Sequence, residues 1–153
     1  MSYNPVLLVA NTILHHSFSA NYPVTHMKLQ KLIYFVFKQY LEDTGDALFD
    51  EPFLAWKNGP ALRSVYDAYK SSVAANINHY MLFGDEKSPR IISHKNKEFH
   101  RAMNSVLSHY KKYTGTQLKG LASKSDGAWS KAVVRHEKAL RKVDIWNERW
   151  YSL

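Results

Sequence analysis

Asp46–Tyr69, DALFDEPFLAWKNGPALRSVYDAY, is the stretch around which the chain is read. Pro52 has no N–H to donate, so it suits the first residue of a short or edge strand. Behind it, Phe53, Ala55 and Lys57 alternate with Leu54 and Trp56, which predicts a strand at 53–57 with two different faces. Asn58–Gly59–Pro60 then turns the chain. Gly59 takes φ > 0 without a Cβ penalty, and Pro60 has its φ pre-set for the first position of a helix. Leu62, Val65, Tyr66 and Tyr69 follow at helical spacing and make one apolar face.

Upstream, Asn4 and Pro5 start a first helix with Val6, Val9, Ile13 and Leu14 as its stripe, running out near His16–Ser19. Thr25 caps a second helix, about His26–Thr44, which Gly45 ends. Met27, Phe35 and Phe37 widen its stripe of Leu29, Leu32, Ile33, Val36 and Tyr40 until little of it reads as exposed, so it is the expected central helix. Downstream, Tyr80–Phe83 reads equally as a strand or a helix end, and Arg90–Ser93 as a short strand. A fourth helix spans about Asn96–Lys112. Thr116 is read as the cap of a short helix through Ala122, and Asp126 as the cap of a last one with Trp129, Val133, His136 and Leu140 facing in. Ile145, Trp146, Trp150 and Tyr151 put enough aromatic area in the tail that it either docks on the body or receives a partner. The fold class expected is mainly α: one compact helical domain over 1–153, with a small β element near 53–57 and a second candidate at 80–93.

At 153 residues, 45% hydrophobic and 14% aromatic, the chain is long and apolar enough to bury a core and is not a disordered segment. It has no cysteine, which excludes a disulfide framework and thiolate chemistry. The apolar run Pro5–Ala10 is too short to span a bilayer and lacks a basic flank, so neither signal peptide nor transmembrane helix is expected and the cytoplasm is the default location. The net charge of +8 is split unevenly: six basic and eight acidic residues up to Glu86, fifteen and five from Lys87 onward. The second half thus carries +10 and predicts either an acidic partner or a basic solvated surface.

The quoted stretch, together with the helix before it, resembles the Panacea antitoxin domain, also called SocA-like. The resemblance rests on Leu29, Gln30, Lys31, Leu32 and Tyr34, then Trp56, Gly59 and Pro60, then Val65 and Tyr66, with a weaker echo at Leu118, Leu121 and Trp129. It departs at Ala61, where the pattern has Val. The resemblance implies an antitoxin, of a kind often found in prophages, that neutralises a cognate protein toxin by direct stoichiometric binding. An adaptor that presents a toxin to a protease is the related alternative.

No phosphate loop, nucleophile elbow or His-Glu-x-x-His motif is present, so neither an enzyme nor a cofactor is expected. The eight histidines are spaced poorly for a metal site: His15 and His16 diverge on a helix, and His94 and His100 lie six apart. Asp43, Asp46, Asp50 and Glu51 read better as a solvated loop than as paired catalytic carboxylates. Gln30 is read as satisfying a backbone group near the Asn58 turn, while Lys31 is open to a structural or a partner-binding role. Trp56 and Tyr66 are expected to brace the Gly59–Pro60 corner from the core. A masking surface needs a few large anchors. The exposed candidates for toxin binding are Lys57, Asn58, Arg63 and Tyr69 on the rim of the third helix, and Trp146 and Trp150 in the tail, with the rim preferred. The rival from another class is a nucleic-acid-binding module, with Tyr110, Tyr113, Trp146 and Trp150 interleaved among the cations of the second half.

Overall fold

The computed structural model describes residues 3–72 and 75–150. Seven α-helices, one two-stranded sheet and a single 3-10 turn at Lys70–Ser72 make up the regular structure of these residues: α1 Pro5–Ala20, α2 His26–Thr44, β1 Leu54–Trp56, β2 Gly59–Ala61, α3 Arg63–Tyr69, α4 Lys97–Tyr110, α5 Gly115–Ala122, α6 Ala128–Val134 and α7 Lys142–Asn147. The fold is mainly α, as the periodicity predicts. Helix α2 is its axis. Thr25 accepts from the Lys28 N–H to cap it, and Gly45 closes it at φ 79°. Leu29, Leu32, Ile33, Tyr34 and Val36 have no exposed surface, and α4, α5, α1 and α3 all pack against this helix. No helix among the described residues is long and apolar enough to cross a membrane.

The Gly59–Pro60 corner is a hairpin, not a helix start. Trp56 pairs with Gly59, Ala55 with Pro60 and Leu54 with Ala61, which leaves Lys57–Asn58 as a two-residue loop. Gly59 sits at φ 95°, the value the sequence requires of it. Pro60 belongs to β2, and α3 begins three residues later at Arg63. The far edge of β1 is covered from a distance: Ala55 N–H donates to the Lys138 carbonyl and Leu140 N–H to that of Phe53.

The second strand candidate, 80–93, is irregular. Its backbone groups are taken by buried side chains of α1 instead of by a neighbouring strand. Asn11 donates to the Met81 and Arg90 carbonyls and accepts from Met81 N–H, and Thr12 accepts from Ile92 N–H. Two cap assignments also shift. Thr114, not Thr116, forms the capping box with Gln117, so α5 opens at Gly115. Asp126 takes φ 68°, and Gly127 caps α6. Ala128 and Ala132 are the inward face of that short helix, while Val133 is exposed and His136 lies past its end at φ 58°.

The tail docks on the body. Helix α7 buries Ile145, and beyond it Tyr34 Oη donates to Glu148 at 2.5 Å while Ala128 N–H donates to the other oxygen of the same carboxylate. Burial pushes the Glu148 carboxyl and the Tyr34 hydroxyl up from their ordinary values. Lys38 Nζ reaches Glu42 and the Ile145 carbonyl, and the Trp150 indole donates to Glu42. Tyr151 lies outside the described residues.

Candidate functional site

The first two turns of α2, the hairpin and α3 enclose a pocket of about 370 Å³. Helix α2 contributes His26, Met27, Gln30 and Lys31; the hairpin contributes Trp56–Gly59 and Ala61; α3 contributes Tyr66. That these elements meet at a fixed distance is the work of Gln30. Its side-chain amide donates to the Leu62 carbonyl at 3.1 Å and its carbonyl accepts from Leu62 N–H at 2.8 Å, like one more rung of a ladder. Gln30 is therefore structural, as expected, although its partner is Leu62 just before α3 and not the Asn58 turn.

Trp56 and Tyr66 were expected in the core and instead form the walls. Their rings meet edge to face at 5.3 Å, with Tyr66 37% exposed. The His26 ring lies 5.9 Å from that of Tyr66, and Arg63 covers the Trp56 ring at 4.7 Å. Trp129 anchors the hairpin from behind by donating its indole N–H to the Trp56 carbonyl. Burial first, and the nearby Lys31 second, push the His26 imidazole down, so it is neutral at pH 7.

Lys31 forms the floor. It is 2% exposed and donates to the Pro60 carbonyl at 3.0 Å. Among the described residues no carboxylate comes within ion-pair distance of it. Burial, with a contribution from Lys119, pulls its amine down to about 8. Lys119 itself reaches over the rim from α5 to donate to the Asn58 side-chain oxygen.

Of the six predicted contact residues, Lys57 and Asn58 line this pocket, and Arg63 is exposed at its edge. Tyr69 is a correction. It is fully buried, with its hydroxyl donating to the His79 carbonyl, because it stays with Leu62 and Val65 on the face of α3 turned to the core. The tyrosine of that helix that turns outward is Tyr66. Trp146 and Trp150 are exposed by 43% and 38% but belong to a separate surface near the C-terminal half of α2, where Trp150 lies against Phe35 and Tyr110. His26 and Lys119 were not anticipated. The position of His26 one turn before Gln30 was a usable signal; nothing local marked Lys119.

The site thus combines a cation at its floor, aromatic walls and a basic rim within a mainly helical fold. By its sequence the chain belongs to the family described as "Antitoxin SocA-like, Panacea domain", whose model matches residues 29–130. It is 29% identical over 124 residues to the Antitoxin SocA of Caulobacter vibrioides (strain NA1000 / CB15N), a match that covers 79% of this chain and 66% of that relative, just under two thirds of its length. No solved structure matches the chain.

Proposed function

We propose that this protein is the antitoxin of a toxin–antitoxin pair. In this reading it works as a single cytoplasmic domain and neutralises its cognate protein toxin by direct, stoichiometric binding through the face that carries the α2–hairpin pocket. Family membership over residues 29–130 is the observation that carries the antitoxin role. The choice of face rests on the pocket, where Trp56, Lys57, Asn58 and Tyr66 stand together around a concave, mainly apolar site. Concave sites that combine aromatic anchors with a few polar groups suit hot-spot binding.

The experiment is a titration of toxin activity against this protein, using the toxin that co-purifies with it from the adjacent reading frame. A fixed, near-equimolar end point supports masking. Inhibition by trace antitoxin that persists after its removal would refute it, and toxin loss that requires a cellular protease would favour the adaptor alternative.

The nucleic-acid reading draws on the +10 charge of the second half. The aromatic residues that it needs as stacking platforms are partly committed elsewhere: Tyr110 is buried and stacked on Phe35, and the Trp150 indole is bonded to Glu42. Steeply salt-dependent retention on single-stranded DNA would revive it.

A further inference from the structure

We propose that the α2–hairpin pocket seats one acidic side chain of the toxin, its carboxylate against the Lys31 ammonium and its methylene stem along the apolar walls that Trp56 and Tyr66 form together. The inference rests on the antitoxin reading only for the identity of the partner. Its chemistry comes from the pocket. A lysine ammonium carries three donors. One is used on the Pro60 carbonyl, and the described residues provide no carboxylate for the charge. The cations around the mouth, Lys57, Arg63 and Lys119, have the same sign and raise the cost of leaving the floor charge unpaired.

Space for a ligand exists above the amine because residue 59 is a glycine. A Cβ there would come within 3.2 Å of Lys31 Cε and 3.6 Å of Nζ. The loss of basicity at Lys31 fits the same picture, since an arriving carboxylate would relieve it. The single buried ammonium at the floor matches a singly charged carboxylate. Among the described residues no arginine lines the floor to fork onto a phosphate there, and Arg63 at the edge lies over the Trp56 ring.

The probe is 3-phenylpropionate, compared with 3-phenylpropanamide, its neutral isostere. Binding to the full chain is followed by the indole N–H signals of Trp56 and Trp129 in 1H–15N spectra. The acid is expected to bind at least about tenfold more tightly than the amide, as a charge-assisted contact requires. The preference should vanish in Lys31→Met. Equal affinity of acid and amide for the wild type overturns the proposal, and this comparison needs no variant that must fold. The second arm adds excess 3-phenylpropionate to the purified complex with the co-purifying toxin. Release of the toxin supports the proposal. If the acid is preferred but the complex is indifferent to it, the site serves a free small acid and toxin docking there is refuted. If no toxin is ever captured while the acid preference stands, the antitoxin reading fails, and the toxin is lost as occupant while the carboxylate chemistry of the pocket is retained.

Discussion

Replacing Lys31 by Met isolates the energetics of the pocket floor. Met keeps the length of the stem and removes the charge. The folded pKa of Lys31 lies near 8, below its ordinary 10.5. Between those values the unfolded chain binds more protons than the folded one, so this group makes stability rise with pH across that window. Below it the whole penalty applies, and the gap corresponds to about 3 kcal/mol. Met removes that penalty but leaves the Pro60 carbonyl without its donor, a loss of roughly 1–3 kcal/mol. At about pH 7 the variant should therefore be as stable as the wild type or more stable by up to about 2 kcal/mol. The sharper quantity is the pH dependence. From about pH 7 to about pH 9.5 the wild type should gain about 2 kcal/mol relative to the variant. The groups facing Lys31 are His26 on α2, Lys57 and Asn58 on the hairpin, Tyr66 on α3 and Lys119 on α5, none of them a carboxylate. Lys28, whose amine is also lowered, and Tyr22 and Tyr110, both pushed up to about 12, titrate in both proteins and cancel in the difference. Urea unfolding followed by tryptophan fluorescence measures the two profiles. Parallel curves would refute the reasoning, because they would mean that Lys31 keeps its ordinary basicity in the fold.

Gly59→Val should destabilise the fold by about 1–3 kcal/mol, seen as a lower Tm, because a β-branched residue is strained at φ 95° and its Cβ would press on Lys31. Gln30→Ala orphans the Leu62 N–H in the core, while the Leu62 carbonyl keeps the Tyr66 N–H, and should cost roughly 1–3 kcal/mol in denaturant unfolding. Reversing the exposed Lys111, Lys112 and Lys142 to Glu should slow toxin association by about tenfold at low salt while leaving the melting curve unchanged. Arg141 is left out of that set because it is paired with Glu137, and a glutamate there would face a like charge. Trp150→Ala, which empties the place beside Phe35 and Tyr110, should lower the Tm; reduced toxin affinity at unchanged Tm would instead make the tail the binding surface.

Local chemistry carried much of this fold in the sequence. Asn4, Thr25 and Gly45 mark helix ends because a cap oxygen or a left-handed residue is a requirement of the adjacent backbone, and the apolar density of α2 announces a helix covered on all sides. The left-handed turn at Gly59 is likewise a property of the residue that occupies it. What followed that turn was not local. Pro60 fits a strand and a helix start equally well in isolation; the side-chain clamp of Gln30 on Leu62, more than thirty residues away, and the covering of β1 by the 138–140 segment decide for a strand. The same holds for 80–93, which lies as irregular chain because Asn11 and Thr12 satisfy its backbone from the side. In α3, helical spacing groups Tyr66 and Tyr69 on one stripe, and only the packing against α1 and α2 determines that Tyr69 closes the core and Tyr66 the pocket. The pocket is the clearest case. Gln30, Lys31, Trp56 and Gly59 were all conspicuous in the sequence, but a buried ammonium with no carboxylate partner among the described residues is a relation among three elements that converge from separate parts of the chain, and it exists only once they have folded together.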